Sequence, residues 1–244
     1  MSRLPSKLYG RKDSGVITRM NYLTAPCENT MKQKILALYT RKNAVEGYRT
    51  FRPLENCGHD VTFQDYITKE SKPLGEVAKA LYKLGDIWFL KYISNDMMLN
   101  VIASAKTYVE KEGGAVWLVI DIDDNVFELP WGNLAMLYWK KERIERQAQI
   151  VSLANAVVAS TVPLQNYLKR FNPNVFVIPN MIDPTQWKLK PMSKKKKNKK
   201  GKIGWVFSQT HIPDMPVIKE ALTEVMEELK DEAEFELLGG AVGL

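Results

Sequence analysis

One segment, AVWLVIDIDDN at residues 115–125, constrains the fold of this 244-residue chain more than any other. Six apolar residues run directly into the carboxylates of Asp121, Asp123 and Asp124. An unbroken apolar run predicts a strand that is buried on both faces, as in a parallel sheet. The carboxylates then lie at the carboxyl edge of that sheet, where open α/β sheets bind their ligands.

The same kind of periodicity predicts six strands that alternate with helices. The strands are predicted at residues 34–39, 59–63, 86–93, 115–121, 156–159 and 175–178. The helices are predicted through Tyr48 to Leu54, at 74–82, at 97–109, as one long helix at 134–153, and after a Ser160 or Thr161 cap. Right-handed crossovers between such strands give a Rossmann-like, doubly wound parallel sheet over residues 31–187.

Outside residues 31–187 the pattern divides into three further parts. Residues 1–30 show no sustained period and are interpreted as an N-terminal arm. Residues 203–244 predict a strand, a helix and a strand, which is a single βαβ unit. One such unit buries too little apolar surface to stand alone. We therefore expect an incomplete second domain, covered by another copy of the chain or by a partner chain.

Residues 188–202 carry nine lysines, more positive charge than the net charge of +7 of the whole chain. The remainder of the sequence is therefore close to neutral. Like charges repel and bury no apolar area, so the run predicts a solvated linker. The alternative is contact with nucleic acid or with an anionic membrane surface, because clustered lysines attract phosphate.

The chain shows no signal for export or membrane insertion. Its first residues are polar without an apolar stretch, and no apolar segment reaches the 18 to 20 residues of a bilayer span. Cys27 and Cys57 have no zinc-site spacing and are interpreted as reduced thiols. We expect a cytoplasmic protein.

Three groups of residues are candidates for chemistry. Gly47 and Arg49 lie in the loop that follows the first predicted strand, at its carboxyl end. Backbone amides and an arginine in such a loop can bind a phosphate or a carboxylate. His211 lies after the first strand of the second unit. Asp121, Asp123 and Asp124 allow three roles: metal ligand, phosphatase-like nucleophile and acid, or general base. We expect Asp121 and Asp123 to face an open cleft, so that replacing Asp121 would change activity and leave stability unaltered.

Four segments together resemble the GT-B glycosyltransferases, in particular the retaining family-four type. They are ANAVVASTVPLQNYLKRF, NVFVIPNMID, VIDIDDNVFELP and KIGWVFSQTHIPDMPVIKEAL, in a likeness that covers about residues 31–240. The resemblance implies a GT-B N-terminal, acceptor-side domain followed by the start of a donor-side domain. It implies a hexosyltransferase that uses a nucleotide-sugar and an acceptor, without a metal or a further cofactor.

The resemblance also implies roles for individual residues. Asp121 and Asp123 would be the catalytic or substrate-orienting carboxylates, and Gly47 with Arg49 would approach the phosphates or the acceptor. The donor pyrophosphate would lie near Ser208, Gln209 and His211.

The sequence departs from the family pattern at three points. Met181 stands where the family has glycine, the 208–214 loop lacks the usual Arg and Lys, and the acidic donor motif is absent. We therefore expect a donor unit that is weak or inactive alone. Two alternatives stay open, a non-catalytic Rossmann-like binding module and a DxD phosphotransfer or phosphatase enzyme.

Overall fold

The computed structural model describes residues 31–39, 44–65, 73–91, 96–181 and 200–239. The predicted arm at 1–30 and most of the lysine-rich segment, 188–199, lie outside these ranges. The described part from Lys32 onward belongs to one compact unit.

The core of the fold is a six-stranded, fully parallel sheet. Its strands are β1 (Lys34–Tyr39), β2 (Asp60–Asp65), β3 (Ile87–Leu90), β4 (Trp117–Ile122), β5 (Ala156–Ala159) and β6 (Val175–Val177). The spatial order is β2-β1-β3-β4-β5-β6. The predicted parallel α/β sheet is thus confirmed, and the architecture is consistent with a Rossmann-like fold.

The strand order creates a switch point beside the first strand. The chain leaves β1 toward β2 on one side and then returns to place β3 on the other side of β1. Loops at the carboxyl ends of β1 and β3 therefore depart in opposite directions and open a crevice, which is where sheets of this type bind ligands. Any site of this fold is expected at that edge.

One face of the sheet is covered by four helices. They are α3 (Leu74–Tyr82), α4 (Asp96–Lys111), α5 (Lys141–Leu153) and α6 (Val162–Leu168). Their apolar positions, such as Val101 and Ile150, pack with alternate strand residues such as Leu36, Trp88 and Ile120, which are fully buried. Side chains on one face recur every second residue in a strand and about every 3.6 residues in a helix. Strands and helices share this core because each presents one apolar face to it.

The opposite face is covered near β1 and β2 by a short irregular helix. It consists of α1 (Ala44–Glu46), a π-helical turn (Gly47–Phe51) and α2 (Arg52–Glu55). Phe51 lies between Tyr39 and Phe63, with ring centroids 4.9 and 5.1 Å away. Helices therefore flank both faces of the sheet, as a doubly wound fold requires.

The predicted single helix at 134–153 is wrong. The chain instead forms a 3-10 turn, Leu134–Leu137, and then α5 from Lys141. Lys140 is extended, with ψ at 164°, and this interrupts the helix. The side chain of Asn133 accepts a hydrogen bond from the Ala135 amide and starts the separate turn.

The second βαβ unit forms as predicted within residues 200–239. Strands β7 (Gly201–Val206) and β8 (Ala233–Leu238) are parallel neighbours, joined by a 3-10 turn (Gln209–Asp214) and α7 (Met215–Glu228). No residue of α7 is buried, and Val217 is 81% exposed. Within the residues described, no helix is long and apolar enough to cross a membrane.

Two glycines give a test of the packing between α3 and β1. A Cβ on Gly85 would lie 2.8 Å from the Leu36 amide nitrogen and 2.9 Å from the Lys34 carbonyl oxygen, whereas a Cβ on Gly75 meets nothing within 4 Å. We expect Gly85→Ala to lower the free energy of unfolding by about 2 kcal/mol, because backbone atoms cannot move aside easily. Gly75→Ala, the matched control in α3, should raise it by up to about 1 kcal/mol. Urea denaturation measures both, and a Gly85→Ala variant as stable as the parent would contradict the packing.

Candidate functional site

A buried ion pair joins the π-helical turn to the central strand β4. Arg49 donates from Nε to Asp121 Oδ2 at 2.7 Å and from Nη2 to Asp121 Oδ1. The two side chains are 3% and 1% exposed. The pair is therefore bidentate and shielded from water, the geometry in which arginine and carboxylate interact most strongly.

The same guanidinium also binds the segment that follows β6. Arg49 Nη1 donates to the Ile178 carbonyl oxygen at 3.1 Å and to Asn180 Oδ1 at 2.7 Å. One side chain thus connects three parts of the carboxyl edge that are far apart in sequence. We call Arg49 with Asp121, Ile178 and Asn180 the arginine clamp.

The Asp121 carboxyl is subject to two opposing effects. Desolvation by burial raises its pKa, and this is the largest effect. The hydrogen bonds and the positive charge of Arg49 act in the opposite direction and lower it. The net direction is upward, so the charged form of Asp121 depends on Arg49.

A second ion pair lies next to the clamp. Lys91, which directly follows β3, donates from Nζ to Asp123 Oδ2 at 2.9 Å, and each side chain is 8% exposed. Ser160 Oγ donates to the Asp123 backbone carbonyl at 2.7 Å. The carboxyl ends of β3, β4 and β5 are therefore joined through Asp123.

The expectation that Asp121 and Asp123 face an open cleft is wrong. Each carboxylate is covered by a basic side chain from a neighbouring element, Arg49 or Lys91. Pairing of this kind is what makes burial of a charge tolerable. Replacement of Asp121 is consequently expected to cost stability as well as any activity, because it would leave Arg49 buried without its main acceptor.

Two titratable groups near Asp123, namely Asp124 and Tyr48, remain accessible at this edge. Asp124 is exposed at its surface, and Tyr48 is 37% exposed. Desolvation and then the charge of Asp123 raise the pKa of Asp124, while Lys91 and His211 lower it. The pKa of Tyr48 is raised by desolvation and then by Asp123, and Asp124 adds to this shift. Both groups therefore belong to one electrostatic environment.

Arg49 and Gly47 were both predicted to bind an anion, and the structure places them differently. The Arg49 guanidinium lies beside Asp121, as part of the arginine clamp, and its donors are occupied by Asp121 and Asn180. Gly47 begins the π-helical turn, and a Cβ there would meet nothing within 4 Å. Packing therefore does not require glycine at this position.

In the second unit, the predicted residues make contacts within their own loop. Ser208 Oγ lies 2.7 Å from Thr210 Oγ1, and His211 Nδ1 lies 2.9 Å from Asp214 Oδ2. The side chain of Gln209 is outside the described atoms. His211 is near enough to Asp124 to lower its pKa, so the structure brings this histidine to the carboxyl edge of the main sheet.

Two site residues, Lys91 and Tyr48, were not singled out from the sequence. Lys91 follows β3 at the same edge as the aspartates, and Tyr48 stands between the two predicted residues Gly47 and Arg49. Position after a strand is the signal that could have found Lys91. Among the residues that the structure describes, no cluster of three or more His, Cys, Asp or Glu side chains is arranged to hold a metal ion.

No protein-family model matches this sequence, and no curated protein is significantly similar to it. Function must therefore be argued from the site itself, from its residues and their surroundings.

Because of the arginine clamp, we expect replacement of Arg49 to lower the free energy of unfolding by an amount that depends on pH. Without Arg49, the largest effects that lower the pKa of Asp121 are lost, so its folded-state pKa rises further above the unfolded value. A raised carboxyl pKa favours the protonated folded state, and the stability it contributes is lost as the pH rises through that pKa. We expect Arg49→Met to lower the free energy of unfolding by about 3 to 5 kcal/mol at pH 7, and by less at pH 5.

The control is Arg170→Met, which removes an exposed pair with Glu128 at 3.7 Å and should cost less than about 1 kcal/mol at either pH. Urea denaturation of the three proteins at pH 5 and pH 7 provides the measurement. An equal loss for Arg49→Met at both values would show that Asp121 does not carry the buried charge.

Proposed function

We propose that this protein is a glycosyltransferase of the GT-B type, which transfers a sugar from a nucleotide-sugar to an acceptor hydroxyl at the carboxyl edge of the main sheet. The observation that supports this most is the set of ion pairs at the carboxyl edge. Asp121 and Asp123 are held by Arg49 and Lys91, while Asp124 and Tyr48 remain accessible with raised pKa values. This arrangement provides an accessible carboxylate that can act as a general base, beside groups that are held in place.

The proposed reaction assigns a role to each accessible group. The acceptor oxygen attacks the anomeric carbon, the bond from that carbon to the phosphate oxygen breaks, and a nucleoside diphosphate leaves. The Asp124 carboxylate takes the proton from the acceptor hydroxyl, and its raised pKa makes it a better base than an ordinary aspartate. Tyr48 orients the acceptor through its hydroxyl. Arg49 and Lys91 are positioning residues, because they act through Asp121 and Asp123.

The second unit would contribute on the donor side. His211 lies close enough to affect Asp124 and is the one cation-capable residue of the 208–214 loop. A protonated histidine would favour the diphosphate leaving group, whereas a loop without Arg or Lys binds it weakly. We therefore expect slow turnover, above the rate in the absence of protein.

The phosphotransfer alternative receives less support from the site. In that mechanism the first carboxylate of the DxD motif, Asp121, attacks phosphorus. Here both of its oxygens accept hydrogen bonds from Arg49 in a buried setting. A carboxylate occupied in this way is a poor nucleophile, because its charge is already neutralised.

The test is release of nucleoside diphosphate by the full chain from uridine, guanosine and thymidine diphosphate sugars, with water and simple glycosides as acceptors. We expect Asp124→Asn to lower the rate at least tenfold, since a general base supplies about 10² to 10⁴. The melting temperature should change little, because the Asp124 side chain is at the surface.

The matched control is Asp60→Asn, at the amino end of β2, where the carboxylate makes an exposed contact with Lys32. This variant should keep the parent rate. Absence of release from every donor by the folded parent would favour the non-catalytic binding module. An Asp124→Asn rate equal to that of the parent would remove Asp124 from the mechanism.

A further inference from the structure

The segment after β4 exposes an unusual concentration of apolar side chains. Trp131 is 93% exposed, Leu137 74% and Tyr138 50%, and Leu134 and Met136 are each more than 40% exposed. All five belong to residues 131–138. Five exposed apolar side chains within eight residues point to an interaction surface, whereas single exposed apolar residues do not. We call residues 131–139 the apolar turn.

The apolar turn is a defined structure. The Asn133 amide donates to the Pro130 carbonyl at 3.0 Å, and the Asn133 side chain accepts from the Ala135 amide at 2.8 Å. The Trp139 amide donates to the Ala135 carbonyl at 2.8 Å. Backbone bonds therefore hold the apolar side chains outward, and folding of the segment itself does not bury them.

Basic side chains adjoin the apolar turn. Lys140 and Lys141 are exposed, and the Arg143 guanidinium lies 3.9 Å from the Tyr138 ring centroid and donates to the Tyr138 carbonyl at 3.1 Å. Residues 140–146 hold four cations, Lys140, Lys141, Arg143 and Arg146, against two carboxylates, Glu142 and Glu145. Arg146 also pairs with Asp96, and Lys141 lies 3.8 Å from Glu145.

The apolar and basic parts meet in one shallow depression of about 540 Å³. It is lined by Leu137, Tyr138, Lys140, Glu142, Arg143 and Arg146. Aromatic rings with a polar end and long cationic side chains with apolar stems are the residues that occupy the boundary between hydrocarbon and water. Such a boundary accepts Trp131 and Leu137 while phosphate groups meet Lys140 and Arg143.

We propose that the apolar turn docks this protein on the surface of a bilayer that contains anionic phospholipids. The shape favours lipid over a protein partner, because Trp131 protrudes almost completely into solvent and a rigid partner would need a matching cavity. A headgroup layer adapts to a protruding side chain and bears the opposite charge to the 140–146 cations. This proposal does not depend on the proposed enzymatic activity.

The test is cosedimentation of the full chain with vesicles of phosphatidylcholine alone and of phosphatidylcholine with 30% phosphatidylglycerol (about one anionic lipid in three, as a probe of charge). We expect binding to the anionic vesicles that weakens with salt. Trp131→Ser with Leu137→Ser should reduce the partition coefficient at least tenfold, because both side chains lose their insertion. Lys140→Gln with Lys141→Gln should reduce it less and should remove part of the salt dependence.

The matched control is Val217→Ser in α7, which replaces a side chain that is 81% exposed elsewhere and should bind like the parent. Circular dichroism and melting temperature establish that each variant is folded. Undiminished vesicle binding by the Trp131→Ser, Leu137→Ser variant would overturn the proposal and assign any binding to the lysine-rich run. Loss of self-association in that variant, without an effect on vesicle binding, would make the apolar turn an interface between copies and would equally overturn it.

Discussion

The contact between Arg49 and Asp121 determines how the carboxyl edge of this protein is organised. Asp121 lies within β4, in the middle of the sheet, where a lone carboxylate would be strongly disfavoured. Arg49 makes its charge tolerable and is itself fixed by Ile178 and Asn180. The position of the π-helical turn, the end of β4 and the segment after β6 therefore depend on one another. Loss of either partner would disturb all three.

A neighbouring pair repeats this arrangement on a smaller scale. Lys91 and Asp123 connect β3 to the end of β4, and Ser160 adds the end of β5. Buried pairs of this kind contribute less to net stability than to holding one geometry, since desolvation offsets much of their attraction. Asp124 and Tyr48 lie in the electrostatic environment of these pairs and are more exposed than Asp121 and Asp123.

Much of the fold could be predicted from the sequence because local periodicity carries it. The bounds of β1 at 34–39 and β5 at 156–159 agree with prediction, and Thr161 caps α6 with Pro163 in its first turn. The helix predicted at 134–153 failed because apolar spacing continues through Lys140 while the backbone does not. The spacing of apolar residues indicates which side chains face the core, but it does not show where a single extended residue separates two helical segments.

The site was predictable only in part, for a different reason. Arg49 and Asp121 were each singled out, yet they are 72 residues apart and no local pattern indicates that they bind each other. That pairing depends on the register of β4 and on the pitch of a turn. Lys91 shows the same difficulty, because one lysine after a strand resembles many surface lysines until the position of Asp123 is known.

The π-helical turn fixes the number of residues between Gly47 and Phe51. The Arg52 amide donates to the Gly47 carbonyl, five residues back, so this turn contains one residue more than an α-helical turn would. Deleting Thr50 would restore the tighter pitch and rotate Arg49 and Phe51 relative to each other. Arg49 could then face Asp121, or Phe51 could face Tyr39 and Phe63, but not both together. The number of residues in this segment is therefore constrained as closely as the identities of Arg49 and Phe51.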